Sequence, residues 1–303
     1  MTTRIDSQPA AASLPRPAAT ILLLREQRSQ IEVLMVRRHA NLSFMGGMWV
    51  FPGGSLHAAD TSDAALALID VDQVAQRMPM VDLHGQPLTT VQTAGLAFAA
   101  CRETFEETGV LLATHADGSP PDAALIERVQ SQRDASNADA AVFVQLLQQN
   151  DLRPDFASLA YWSHWITPSS APKRFDTRFF IVRAPQATLA SADTGETVES
   201  LWMQPGELLA AAERRQMPIS HPTQCNLHDL REALGRYRSL DDLLAGEASR
   251  QVTPILPKMF REQDHMTIVM PWDASYDACP GDGLPNPQSN ALHALPSRVI
   301  ANH

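Results

Sequence analysis

The chain has 303 residues, of which 44% are hydrophobic and 19% are charged. These fractions are typical of a soluble globular protein, and the length allows one large domain or two. The net charge of −10 argues against a general binder of nucleic acid or of membrane surfaces, so we expect a small-molecule ligand. Its three cysteines are typical of a reduced compartment, and no apolar run is long enough to span a membrane. We therefore expect a cytoplasmic protein.

The first part of the chain predicts a small group of strands. Residues 1–18 are rich in Ala and Pro, and we expect them to be disordered. Residues 21–24 and 31–36 are short apolar runs with a polar turn between them, which predicts a β-hairpin. A third short strand over residues 49–51 ends at a Pro-Gly-Gly turn, where Gly54 is the last residue.

A long helix is predicted to end near Gly109. The apolar residues Phe98, Cys101 and Phe105 recur at helical spacing, and a glycine after them is a typical helix stop. Residues 61–90, which precede this helix, carry a further helical pattern followed by a turn.

Strands and helices alternate in the second half of the chain. The predicted strands cover residues 161–167, 175–182 and 201–203. The predicted helices cover residues 121–149 with a polar interruption at 134–139, then 206–215, 223–234 and 239–247. Strands interleaved with helices predict an α/β layered domain.

One stretch of the long helix concentrates charge, because Arg102, Glu103, Glu106 and Glu107 fall within six positions. On a helix, Glu103 and Glu107 lie one turn apart on the same face, with Glu106 beside them. Like charges at this spacing repel each other. A divalent cation would turn the repulsion into binding, whereas an acidic face in contact with water is the common alternative.

Residues on both sides of a long spacer decide between these alternatives. Gly54 is followed by the carboxylate of Asp60 and, much later, by Arg-Glu-x-x-Glu-Glu-x-Gly and an apolar residue. This order resembles the Nudix box of the Nudix hydrolases. Asp60 stands in place of the first glutamate of the family pattern, and Thr104 in place of an aliphatic residue. Residues 61–101 replace a seven-residue spacer, so the box carries 34 additional residues.

The resemblance implies a fold and a metal site. The fold would be a Nudix-type α/β/α sandwich with a mixed sheet, here with a helical insertion and a C-terminal helical extension. Glu103 and Glu107 would be the main ligands of Mg²⁺ or Mn²⁺, and Glu106 would contribute to metal binding and to catalysis. Arg102 would orient a glutamate by ion pairing.

Much of the family takes its general base from a carboxylate that lies far from the box. Glu196 and Glu199, in the predicted loop before the strand at residues 201–203, are the candidates here. The alternative is that both are exposed loop residues, since loop carboxylates are mostly in contact with water.

Further residues are candidates for substrate binding. The turn of Gly53 and Gly54 would bring backbone groups close to the metal and the substrate, because glycine has no Cβ to block the approach. Lys173, Arg174 and Arg178 surround a turn before a strand and can pair with substrate phosphate. Surface solvation is the alternative explanation of each cation.

The resemblance also sets the expected domain boundaries. We expect a Nudix hydrolase domain over residues 19–250, with an insertion at residues 61–93. Residues 251–303 would form a C-terminal extension.

The chain is similar to a branch of the family that contains coenzyme A diphosphatases, on the residues at 50–60, 101–112 and 165–180. The resemblance implies metal-dependent hydrolysis of a diphosphate linkage, with coenzyme A or acyl-CoA as the first substrate to consider. ADP-ribose or a dinucleotide is the alternative substrate. A catalytically silent ligand-binding regulator is the alternative class, although all three glutamates and Arg102 are present. We also expect a homodimer.

Overall fold

The computed structural model of the protein describes residues 14–42, 44–185, 190–193, 195–284 and 295–301. Its strands are β1 (Arg16–Gln27), β2 (Gln30–Arg38), β3 (Trp49–Val50), β4 (Gly53–Ser55), β5 (Ala113–His115), β6 (Leu152–Pro154), β7 (Ala160–Ile166), β8 (Phe175–Arg183), β9 (Thr197–Met203), β10 (Pro254–Ile255), β11 (Lys258–Glu262), β12 (His265–Val269) and β13 (Arg298–Ala301). Its α-helices are α1 (Asp63–Leu66), α2 (Val71–Arg77), α3 (Thr90–Thr108), α4 (Ala123–Gln130), α5 (Arg133–Ala138), α6 (Ala140–Gln149), α7 (Pro205–Glu213), α8 (His221–Leu234) and α9 (Leu240–Glu247). Within these ranges, no helix is long and apolar enough to cross a membrane.

The main sheet is mixed and has the strand order β10-β7-β8-β1-β2-β3, with β4 beside β1 and β9 beside β2. The predicted hairpin is confirmed, since β1 and β2 pair antiparallel, and β1 runs parallel to β8 on its other side. The last three strands form a second, antiparallel sheet in the order β11-β12-β13.

The sheet separates two hydrophobic cores. In β1, Ile21 and Leu23 face the core that contains α3 and α6, while Leu22 and Leu24 face the core that contains α8 and α9. All four side chains are fully buried, so the strand is apolar on both faces. This two-sided burial confirms the predicted α/β/α sandwich.

The predicted disorder over residues 1–18 is wrong at its C-terminal end. Residues 1–13 lie outside the described part of the chain, but β1 already begins at Arg16. The backbone N–H of Arg16 donates to the carbonyl of Arg174 at 3.0 Å, and β8 extends the pairing from there. The neighbouring strand therefore satisfies the backbone of a stretch whose composition alone is typical of a loop.

Two other expectations are corrected by local structure. The predicted polar interruption at residues 134–139 is wrong, because most of this run forms α5, and Asp139 then caps the N-terminus of α6. The C-terminal extension predicted as helical over residues 251–303 is wrong in its secondary structure, because the described part of this range forms strands β10 to β13 and no α-helix. Between Met266 and Met270, Thr267 and Val269 are buried on one face, and this period of two is typical of a strand.

The insertion predicted at residues 61–93 is partly helical, as expected. It contains α1 and α2, followed by a turn whose ends meet at a bridge between Val81 and Pro87. The side chains of Val74 and Met78 pack into the core under α3 and so anchor the insertion there. Its last residues form the first turn of α3, which begins at Thr90.

Arg178, a candidate for phosphate binding, instead fixes the insertion to the sheet. Its side chain is 1% exposed, forms an ion pair with Asp176 at 2.7 Å and donates to the carbonyl of Val81 at 2.7 Å. His164, also fully buried, hydrogen-bonds to the same Asp176. The structure therefore gives this guanidinium a structural contact and no route to a substrate.

Arg178→Met tests this assignment. Removing one partner of a buried ion pair leaves the other charge uncompensated, so the free energy of unfolding should fall by about 3–5 kcal/mol. Lys173→Met removes the same charge from an exposed side chain and should leave stability near that of wild type. Urea unfolding of both variants measures the difference, and equal stabilities would contradict the structural role of Arg178.

Candidate active site

Helix α3 carries the carboxylate cluster, which we define as Glu103, Glu106 and Glu107. The helix begins with a capping box between Thr89 and Gln92 and ends at Gly109, which has a φ of 74°. Its opposite side is anchored in the core, so the cluster stands on a rigid element.

The two halves of the split motif converge on this cluster. The backbone N–H of Gly53 donates to the Glu107 carboxylate at 2.9 Å. A Cβ built on Gly54 would lie 2.4 Å from the Glu103 carboxylate carbon, so any side chain at this position would displace that carboxylate. Gly53 itself has a φ of 157° and no room for a Cβ beside the backbone of β1. The insertion therefore loops out and leaves the predicted contact intact.

Arg102 connects the two halves of the split motif through its hydrogen bonds. Its guanidinium donates to both carboxylate oxygens of Asp60, at 2.8 and 3.0 Å, and to the carbonyl of Ser55 at 3.0 Å. It also contacts Glu103 at 3.0 Å and Glu106 at 2.6 Å. Asp60 and Arg102 are 0% and 2% exposed. The predicted ion pairing of Arg102 with a glutamate is thus present, and Asp60 serves as its buried counter-charge.

Glu106 is held from a second direction by residues that the sequence reasoning missed. The hydroxyl of Ser136 donates to its carboxylate at 2.7 Å. Arg133 and Asn137 donate to its backbone carbonyl at 2.8 and 3.2 Å. All three lie on or beside α5. The sequence signal for these residues is the polar run at 134–139, but from the sequence alone this run is interpreted as an interruption of a helix.

The two candidate base residues have different surroundings. Glu196 lies beside Arg38, at 3.6 Å, and Arg38 in turn lies 3.9 Å from Glu107. Arg38 was not identified from the sequence. Glu199 pairs instead with Arg37 at 3.7 Å, and its side chain is 55% exposed.

An irregularity in β9 separates these two glutamates. The register with β2 shifts between Arg37 and Arg38, so that Thr197 and Glu199 face successive residues of β2 and Val198 is left unpaired. Thr197 is turned inward and fully buried; its hydroxyl donates to the Asp193 carboxylate at 2.7 Å and lies 3.4 Å from the carbonyl of Glu107. The structure therefore brings Glu196 to the cluster and leaves Glu199 at the surface.

The remaining cationic candidates, Lys173 and Arg174, also differ. The Lys173 ammonium lies 5.4 Å from the ring centroids of both Phe44 and Phe175. Arg174 is 8% exposed and donates to the carbonyl of Thr167. Of the three cations proposed from the sequence, only Lys173 lines a cavity next to the cluster.

Two adjoining cavities meet at His57, Glu103 and Glu196. The smaller one, the acidic arm, has a volume of about 310 Å³ and is lined by the whole cluster together with Asp139 and Asp193. The larger one, the apolar arm, has a volume of about 690 Å³. Gly53, Gly54, Arg38 and Lys173 line it, together with many aromatic and aliphatic side chains. This size is typical of a small-molecule site.

Burial disfavours the charged forms of the cluster. It raises the pKa of Glu103 to about 7, against the opposing effect of Arg102. Burial and repulsion from Glu103 hold the pKa of Glu107 well above its usual range, although Gly53 donates to it. Burial also raises the pKa of Glu106. Burial therefore outweighs the hydrogen bonds and ion pairs that favour the charged forms of these carboxylates.

The carboxylates of the cluster are chemically suited to bind a hard divalent cation. The carboxylates of Glu103 and Glu107 border one cavity, and carboxylate oxygens are the ligands that hard divalent cations take. In the described ranges, no three Asp, Glu, His or Cys side chains already stand in an arrangement that holds a metal ion. The side chains point to protein partners instead: Glu103 to Arg102, and Glu107 to Gly53. A metal ion held by Glu103 and Glu107 would compete with these partners.

An α/β/α sandwich whose central helix presents Arg-Glu-x-x-Glu-Glu against a Gly-Gly strand defines a Nudix hydrolase. A family model described as the NUDT19 Nudix domain matches residues 9–230, about three quarters of the chain. The chain belongs to this family.

Known proteins support this membership. The human acyl-coenzyme A diphosphatase NUDT19 is 29% identical over 273 aligned residues, which cover 80% of this chain and 72% of the human protein. Its chicken counterpart is 28% identical, with 82% and 74% covered. A solved Nudix hydrolase from Alicyclobacillus acidocaldarius is 26% identical, with a TM-score of 0.59, and the match covers 78% of this chain and 97% of that structure.

The raised pKa of Glu103 predicts a pH-dependent stability of the metal-free protein. Between the unfolded value of 4.5 and the folded value of about 7, the folded state binds more protons than the unfolded state. The free energy of unfolding should therefore fall as the pH rises through this window. Glu103→Gln removes the titration, so in EDTA the variant should become the more stable protein above the window and match wild type below it.

Urea unfolding at pH values below, inside and above the window measures this difference. Glu199→Gln is the matched control, because Glu199 is an exposed carboxylate in an ion pair, and we expect no such crossover from it. A Glu103→Gln protein that is less stable than wild type above the window would contradict the account.

Proposed function

We propose that this protein hydrolyses the diphosphate linkage of coenzyme A or of an acyl-CoA. The observation that carries the proposal is the convergence of Gly53 and Gly54 with Glu107 and Glu103 at the junction of two cavities. The names of the human and chicken relatives support the choice of substrate. The products would be adenosine 3′,5′-bisphosphate and 4′-phosphopantetheine or its acyl derivative.

Glu103 and Glu107 are the main ligands in this proposal, and Mg²⁺ or Mn²⁺ is the expected ion. Such ions neutralise phosphate charge, lower the pKa of water and stabilise the leaving group. Glu106 contributes from the same helix, although both of its carboxylate oxygens already have partners in Arg102 and Ser136. We therefore assign to Glu106 mainly the positioning of Arg102, which in turn orients Glu103.

Glu196 is the general base in this proposal. It lines both cavities where they meet, opposite the helix that carries the cluster, and its side chain is 63% exposed. Its carboxylate would accept a proton from the attacking water, while Arg38 holds it near Glu107. The water oxygen forms a bond to one phosphorus, the bridging P–O bond breaks, and each half of the substrate keeps a phosphate.

Binding of the substrate engages the backbone and one cation. Gly53 and Gly54 would let a phosphate approach the strand end, and Lys173, which lines the apolar arm beside Phe44 and Phe175, would pair with phosphate oxygens. A cytoplasmic location and a homodimer remain predictions from the sequence.

The test measures the rate at which each substrate of a panel is hydrolysed in the presence of Mg²⁺ or Mn²⁺. The proteins compared are wild type, Glu196→Gln and Glu199→Gln. The panel contains coenzyme A, an acyl-CoA, ADP-ribose and NADH. We expect turnover to be fastest on the coenzyme A compounds. Glu196→Gln should lower kcat by about 10²- to 10⁴-fold, as the loss of a general base does, and Glu199→Gln should match wild type.

Each alternative has its own outcome. Preferential cleavage of ADP-ribose or NADH would show that coenzyme A is not the preferred substrate, while the proposed diphosphate hydrolysis would stand. Binding of the compounds without turnover of any of them would favour a ligand-binding regulator. Equal loss of kcat in both glutamate variants would remove Glu196 as the base.

A further inference from the structure

The apolar arm has a wall that the matched Nudix domain does not supply. Pro257, Ile268, Met270 and Val299 line this arm. We call these four residues the C-terminal wall. All of them lie beyond residue 230, where the family match ends. The cavity that begins at the catalytic glutamates is therefore completed by the C-terminal sheet.

The register of the C-terminal sheet explains why these side chains face the cavity. Ile268 of β12 pairs with Val299 of β13, so the two lie side by side on one face. Met270 lies two residues further along the chain, on the same face by strand alternation, while Thr267 and Val269 are buried on the other.

One contact holds the wall against the main sheet, and another joins the two segments of the wall to each other. Trp272, just after Met270, packs edge-on against Trp165 of β7 at 6.4 Å between ring centroids. The N–H of Met270 donates to the carbonyl of Ser297 at 2.8 Å, which fixes the start of β13. The wall is thus part of the second core rather than a loose tail.

The polarity of the arm decides which half of a substrate it accepts. No residue of the C-terminal wall carries a charge. Glu103, Glu196 and Arg38 lie at the catalytic end of the arm, while the Lys173 ammonium lies beside the rings of Phe44 and Phe175. A nucleoside bisphosphate placed against the wall would lose water without gaining a partner, which is costly. An alkyl chain gains free energy there for each methylene buried.

We propose that the apolar arm binds the acyl-pantetheine half of the substrate, and that β12 and β13 contact its acyl chain. The adenosine bisphosphate half lies outside this arm. This inference rests on the proposed coenzyme A activity, and it assigns the acyl specificity to the C-terminal extension.

Val299→Trp tests the inference by filling the arm at a half-buried strand position. Isothermal titration calorimetry in the presence of Mg²⁺ measures the affinity for each half of the substrate separately. The two ligands are S-dodecanoyl-4′-phosphopantetheine and adenosine 3′,5′-bisphosphate. The variant should bind the acyl half at least about tenfold more weakly, because each excluded methylene is worth a factor of about four. Affinity for the nucleotide half should stay unchanged.

Ile300→Trp is the matched control, since Ile300 is the next residue of β13, is 56% exposed and does not line the arm. It should change neither affinity, and Val299→Ala should weaken only the acyl half. Loss of affinity for the nucleotide half, or equal loss for both halves, in a folded Val299→Trp protein would overturn the inference. Absence of coenzyme A turnover by wild type would instead refute the proposed function, so the two failures are distinguishable.

Discussion

The buried ion pair between Arg102 and Asp60 is the interaction on which the site depends. The motif is interrupted between these two residues, yet the guanidinium meets both oxygens of the carboxylate and reaches Glu103 and Glu106 as well. Burying such a pair is costly unless its hydrogen bonds are satisfied. Here the carbonyl of Ser55 completes them. The inserted residues can therefore leave the sheet and return without moving the glutamates.

The charged forms of the cluster work against the stability of the fold. Burial raises the pKa values of Glu103 and Glu107, and repulsion from Glu103 adds to the rise for Glu107. The long helix, anchored in the core on its other side, holds them in place. In the proposed function, a divalent cation held by Glu103 and Glu107 would supply charge opposite to theirs.

The sequence was sufficient for the parts of the site that lie on regular elements. The helix with its three glutamates and the glycine turn were predicted, because helical periodicity and glycine chemistry are local signals. Arg38, Ser136 and Asn137 were missed, since only the fold brings them to the cluster. The same holds for Arg178, whose burial under the insertion no local pattern indicates. The strands of the C-terminal sheet were missed in the same way.

Gly54→Ala tests most directly that the two halves of the motif form one site. The added methyl group would meet the Glu103 carboxylate carbon at 2.4 Å. Titration with Mn²⁺, followed by electron paramagnetic resonance, should show an affinity about 10- to 100-fold lower, the range for a disturbed ligand environment. Gly206→Ala is the control, because its nearest atom lies at 3.9 Å. A folded Gly54→Ala protein that binds Mn²⁺ as tightly as wild type would contradict the account.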